Sequence, residues 1–234
     1  MTVATCCAIG RWDDRWLPAI FSRMPRMHFS SSPYTLALED RDYPEWRRGR
    51  ARYAIWMVDA DTAPLRERVG RVRAELAGLF APHQRSPHIT LQVCGFISEP
   101  AILDDDFDGA MLARQRAALA AARLPAFTLD IGGIDSFDSA AFLRVRDPTR
   151  GLAAIREALA TGHPEVCPGR YTPHLTIGLY RDRFAKRAVR RRLAALAALP
   201  PLRLAVRDIV LAGYAARKLD GPLETIERVA LGQQ

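Results

Sequence analysis

The sequence carries one local pattern twice. Pro-His-aliphatic-Thr-aliphatic stands at 87–91 as PHITL and at 173–177 as PHLTI. Around each copy the order of elements is the same. RYAIWMVDA at 52–60, rich in aromatic and branched residues, reads as a strand. DTAPLRERVGRVRAELAGLF at 61–80 reads as a helix, with Pro64 in its first turn and Leu65, Val69, Val72, Leu76 and Leu79 at helical spacing. A histidine strand follows at 88–94, then a helix at 107–122 and a strand at 126–134. The order then returns: a strand at 140–146, a helix at 147–162 between Pro148 and Gly162, the second histidine strand at 174–180 and a helix at 183–199. Strands at 202–214 and 223–231 close the chain.

This is an internal repeat of a strand-helix-strand-helix-strand unit, about 52–134 and 140–231. Asp59 precedes His88 by 29 residues and Asp147 precedes His174 by 27, which aligns the two aspartates. Ser86 and Thr172 stand two before each histidine, and Arg85 and Arg170, in the two loops upstream, are candidate substrate contacts, as is Arg181 after the second motif. Two copies of one unit pack about a pseudo-twofold axis by analogy with symmetric dimers, so equivalent strands can face a shared cleft. Residues 1–50 lack any sustained period and read as an N-terminal extension, ordered in part by Tyr43 and Trp46, ahead of a domain at 51–234. Met24 and Met27 leave its start open.

On a strand, residues two apart share a face. His88 and Thr90 therefore project together, as do His174 and Thr176, while Ile89, Leu91, Leu175 and Ile177 turn into the core. Two imidazoles and two hydroxyls around one space suit a phosphodiester. In-line displacement needs a base for the attacking oxygen and an acid for the leaving one, and imidazole titrates where one copy can be neutral and the other protonated. Threonine hydroxyls can donate to the non-bridging oxygens. A lone His-x-Thr pair on a strand is usually structural, and a duplicated structural strand is the alternative. Against it, two of the five histidines occupy the pattern at matching places of a repeat. His28, His83 and His163 are expected in loops.

With PHITLQVCGF, PHLTIGLY and RYAIWMVD in place, the chain resembles the 2H phosphoesterase superfamily, and within it the bacterial 2'-5' RNA ligase and cyclic phosphodiesterase proteins. The likeness covers about residues 50–231. It implies an α+β, duplicated two-lobe fold: two mainly antiparallel sheets with outer helices about a pseudo-twofold, and the active cleft between the lobes. It implies that His88 and His174 are the acid/base pair and that Thr90 and Thr176 bind the phosphate. It further implies no metal, no cofactor, and a partner that is RNA or a nucleotide with a 2',3'-cyclic phosphate. Ligase-like members often carry an arginine five residues after the second histidine; here that position is Leu179, and Arg181 comes two later. Tyr180, evenly spaced from His174, and Phe96, evenly spaced from His88, read either as stacking surfaces for a base or as core and rim residues.

Composition decides the remaining alternatives. The formal charge is +8, and RDRFAKRAVRRR at 181–192 holds seven Arg/Lys against one Asp, a cluster that attracts phosphates or simply forms a solvated helix face. A non-catalytic RNA-binding module built on 181–192 is therefore the rival function. The four cysteines, Cys6, Cys7, Cys94 and Cys167, form no Cys-x2-Cys pair, which argues against a disulfide framework or zinc ribbon. A metal site from His163, Cys167 and His174 is a further alternative on spacing alone. No window approaches eighteen consecutive apolar residues, and MTVATCCAIGRWDDRW lacks a basic start followed by an apolar core. The expectation is a cytoplasmic monomer with no membrane contact.

Overall fold

The computed structural model describes residues 28–39, 41–82 and 84–232. His83, Met24, Met27, Cys6 and Cys7 lie outside the described residues. In chain order the elements are α1 (Pro44–Arg47), β1 (Arg52–Asp59), α2 (Ala63–Glu75), β2 (His88–Ile97), β3 (Asp106–Phe107), α3 (Gly109–Ala122), β4 (Phe127–Ser136), β5 (Ala140–Arg146), α4 (Gly151–Gly162), β6 (His174–Leu179), α5 (Lys186–Ala194), β7 (Leu202–Val206), β8 (Asp208–Ala215) and β9 (Glu224–Ala230).

Two sheets result, ordered β3-β2-β1-β8-β9 and β6-β5-β4-β7, antiparallel throughout except for the short β2–β3 pair. β1 shows why such strands form. Its Trp56 and Val58 face the helices, while Tyr53, Ile55 and Met57 face the opposite, inner side, so both faces of the strand are buried. The helices supply Leu65, Val69 and Val72 from α2, Leu119 from α3, and Leu152, Ile155 and Leu159 from α4 to one continuous core. The Trp56 indole donates to Gln115 Oε1 on α3 at 2.7 Å, which satisfies a donor that burial would otherwise leave unpaired.

The sheets do not coincide with the sequence halves 52–134 and 140–231. The last strand of each unit is exchanged: β4 pairs with β5 of the second unit, and β8 pairs with β1 of the first. The single strand expected at 202–214 is accordingly two, because β7 lies in one sheet and β8 in the other. The exchange is also visible at the histidine strands. Past α2, Ala81 N donates to Leu179 O at 2.9 Å and Leu79 O accepts from Arg181 N at 3.0 Å, beside β6. Past α4, Val166 N donates to Val93 O at 3.3 Å and Glu165 Oε1 accepts from Val93 N at 3.1 Å, beside β2. Each unit thus covers the outer backbone of the other's histidine strand, which would otherwise present unpaired groups. The helix expected at 61–80 ends at Glu75 because residues beyond it make this crossing.

The extension lies across both sheets. Trp46 stacks on Tyr53 and Phe96 with ring centres 5.0 Å and 4.6 Å apart, and the Arg50 guanidinium sits 3.6 Å over the Phe96 ring. Arg50 is buried and bonded to Asp105 and Asp106. On the other sheet, Thr35 N donates to Phe184 O and Leu38 N to Tyr180 O. Among the described residues no helix is long and apolar enough to cross a membrane.

Gly95 interrupts β2 with φ +118°, a backbone state that side chains disfavour, and a Cβ there would lie 2.4 Å from Asp105 O. Gly95→Ala is expected to lower unfolding free energy by about 2 kcal/mol or more in chemical denaturation. A midpoint equal to wild type would show that the 105–107 segment yields freely.

Candidate active site

β2 and β6 deliver the two motifs as the period-two reading requires. Ile89, Leu91, Leu175 and Ile177 are fully buried, and His88, Thr90, His174 and Thr176 are partly exposed on the inner faces. The motifs are also close to each other. β2 and β6 are in direct contact, and the Tyr171 hydroxyl, three residues before His174, donates to Thr90 O at 2.9 Å. Arg156 of α4 stacks 4.0 Å over the Tyr171 ring and donates to Leu91 O.

Both imidazoles are held in the same way. Nδ1 of His88 lies 2.8 Å from Ser86 O, and Nδ1 of His174 lies 2.8 Å from Thr172 O. A carbonyl only accepts, so each Nδ1 carries the proton and donates it. Protonation can then vary only at Nε2. His174 has its pKa lowered: burial disfavours the imidazolium, the bond to Thr172 O opposes that, and the charge of His28 adds to it. The hydroxyls of Thr90 and Thr176 have no hydrogen-bond partner among the described residues.

Residues that sequence reading passed over surround the motifs. In the antiparallel ladders Asp59 stands opposite His88, and Arg144 stands opposite His174. The ladder therefore equates Asp59 with Arg144 and not with Asp147. Asp147 instead accepts from Gly151 N and Leu152 N at the start of α4, at 3.1 Å and 2.8 Å. Arg228 on β9 reaches Asp59 at 3.3 Å. Arg144 Nε reaches buried Asp135 at 3.1 Å, which also accepts from the His28 ring at 3.0 Å. Burial would raise the Asp135 pKa; the bonds from His28 and Ser136 N, with the Arg144 charge, lower it on balance. The one signal for Arg144 in the sequence was a charge inside the strand AAFLRVR, evenly spaced from Phe142.

The other candidates divide. Arg85 is partly exposed, donates to Leu219 O and Gly221 O, and lies 4.3 Å over the Tyr214 ring, so it buttresses the 215–221 loop. Arg170 and Arg181 are exposed, in the loops before and after β6. Phe96 is on the His88 face, because two register shifts in β2 cancel, but Trp46 and Arg50 cover it completely. Tyr180 is on the wrong face for stacking. A single bulge at Ile177 reverses the alternation, so Leu179 faces inward with Thr176 and Tyr180 enters the core. The Tyr180 hydroxyl bonds Ser136 Oγ at 2.6 Å, and burial pushes its pKa up. Neither ring is available to a base.

His163, Cys167 and His174 do not converge; among the described residues no three His, Cys, Asp or Glu side chains are grouped to hold a metal. His28 and His163 lie outside helices and strands, as expected. The basic run at 181–192 is less uniform than its composition. Lys186 is buried against Asp138 at 2.6 Å, and Arg192 donates to Glu75 O and Ala77 O, leaving Arg181, Arg183, Arg187, Arg190 and Arg191 outward.

The family model of the 2'-5' RNA ligase superfamily matches residues 60–218, a span that includes both motifs and leaves the extension outside. No curated protein matches the sequence. Among solved structures, the chain is similar to E. coli LigT in its apo form. The TM-score is 0.52 at 22% identity, over 79% of this chain and 100% of LigT. It is also similar to TT0787 of Thermus thermophilus. There the TM-score is 0.50 at 16% identity, over 76% of this chain and 97% of that one. At these identities the likeness speaks to the fold, and it bears out two curled, mainly antiparallel sheets with helices in a two-lobe α+β arrangement. Fold, motifs and sequence agree with the 2H phosphoesterase resemblance, and the chain belongs to the 2'-5' RNA ligase superfamily.

Proposed function

We propose that this chain is a cyclic phosphodiesterase that opens 2',3'-cyclic phosphates at the ends of RNA or nucleotides by two-histidine acid/base catalysis, without a metal. The observation that carries the reading is the matched pair of Nδ1–carbonyl bonds, which leaves both Nε2 atoms as the titrating groups. Superfamily membership supports it.

The cyclic phosphate binds between β2 and β6. His174, whose lowered pKa favours the neutral ring, takes a proton from water at Nε2 as the water oxygen bonds to phosphorus. His88, protonated at Nε2, gives its proton to the ribose oxygen whose bond to phosphorus breaks. Thr90 and Thr176 donate to the non-bridging oxygens, where the charge must be held. The product is a ribose phosphomonoester with a freed hydroxyl, and proton exchange with solvent resets the two rings. With a ribose hydroxyl in place of water, the same pair joins ends through a 2'-5' linkage.

Single replacement of His88 or His174 by alanine is expected to lower kcat by roughly 10²–10⁴-fold on a nucleoside 2',3'-cyclic phosphate. Thr90→Val and Thr176→Val are each expected to lower it by about 10²-fold. A His88→Ala or His174→Ala enzyme with near wild-type turnover would remove that residue from the mechanism.

The pH profile has a determined sign. A neutral base with a lowered pKa loses activity only as pH falls through that pKa. The acid limb of kcat/KM is therefore expected below about 6.5 and should be lost in His174 variants. An acid limb above that value would exclude His174 as the base. Activity is expected to persist in chelator, and chelator-sensitive turnover restored by a divalent ion would overturn the metal-free scheme.

A further inference from the structure

The face that carries His174 holds more nitrogen-bearing side chains than the motif supplies. His28 precedes the residues matched by the family, and its ring lies on Phe137 and Phe142 with centres 5.9 Å from each. The His174 ring lies on the same two phenyl rings, at 5.0 Å and 5.4 Å. The two imidazoles thus share one aromatic floor. Arg144 joins them from β5, directly opposite His174 in the ladder and on the same face.

One buried carboxylate arranges this group. Asp135 Oδ2 accepts from His28 Nδ1 at 3.0 Å and from Arg144 Nε at 3.1 Å, while Oδ1 accepts from the backbone N of His28 at 3.2 Å and of Ser136 at 2.7 Å. Its side chain is 1% exposed, against 38% for His28 and 37% for Arg144. The carboxylate is therefore inside and saturated, and the imidazole and guanidinium it holds are each more than a third exposed. Arg144 engages only through Nε; its terminal nitrogens have no partner among the described residues. A guanidinium fork beside an imidazole, fixed in place and facing solvent, matches the geometry and charge of a phosphoryl group.

We infer that His28 and Arg144 form an anion subsite next to His174, which takes a second phosphoryl group of the same ligand. This rests on the reading that a cyclic phosphate reacts between His88 and His174. The second group is either a 5'-phosphate on the reacting nucleotide or the adjoining phosphodiester of a longer strand. The extension ahead of the family domain is then part of the substrate site, and His28 is a specificity residue.

The test compares kcat/KM for three ligands: a nucleoside 2',3'-cyclic phosphate, its 5'-phosphorylated form, and a dinucleotide ending in the same cyclic phosphate. The wild type is expected to favour one of the two ligands carrying a second phosphoryl group. In His28→Ala and in Arg144→Gln that preference should fall about tenfold, as the loss of a charge-assisted hydrogen bond implies. Which ligand loses its advantage identifies the source of the phosphoryl group. Phe29→Ala, which loosens the same segment and keeps the imidazole, should retain the preference. An equal loss on all three ligands, an unchanged ratio in His28→Ala, or an equal drop in Phe29→Ala would overturn the subsite alone. No turnover of any of the three by the wild type would overturn the cyclic-phosphate reading and the subsite with it.

Discussion

Each motif imidazole is fixed by a carbonyl oxygen two residues upstream, across a proline. Proline restricts the residue before it to extended conformations, so Ser86 and Thr172 present their carbonyls in a set direction. That carbonyl settles the tautomer and the aim of the ring together. The proposed chemistry at Nε2 depends on this bond. It also explains the spacing of the motif physically: proline sets the carbonyl, histidine receives it, and threonine two later shares the face.

The exchange of β4 and β8 protects that arrangement. Were the halves self-contained, the cleft would be an interface between two lobes free to move apart. Instead β1 pairs with β8 and β5 with β4, and each histidine strand has its outer backbone covered by the other unit. Separating the sheets would break the hydrogen bonds that the segments after α2 and α4 make to β6 and β2. These crossing segments hold β2 and β6 together, which suits the proposed site, whose two histidines are far apart in sequence.

Much of this was legible in the residues. The period of two placed His88, Thr90, His174 and Thr176 on their faces, because both strands are regular over those positions. It failed at Tyr180 because a bulge at Ile177 adds a residue that leaves no mark in composition. It succeeded in direction at Phe96, where two shifts cancel, and still missed the covering Trp46. The strand exchange could not be read, since β4 and β8 are equivalent in pattern and either partner would satisfy the alternation. Asp59 and Asp147 aligned in sequence as turn residues, yet only one of them stands opposite a histidine; pairing register is a tertiary property.

A duplicated scaffold also raises a difficulty that its symmetry cannot solve. An acid and a base must differ, and two equal motifs held by equal bonds would supply equal imidazoles. The difference has to come from neighbours outside the motif. Here the neighbours differ in kind: a carboxylate, Asp59, stands across from His88, and a guanidinium, Arg144, stands across from His174. Burial favours the neutral form of the second ring, and His28, on the same aromatic floor, adds to it. Unlike environments around like residues separate an acid from a base in enzymes generally. By this argument the segment that precedes the repeat, and so escapes its symmetry, is where a distinction between the two histidines can be built.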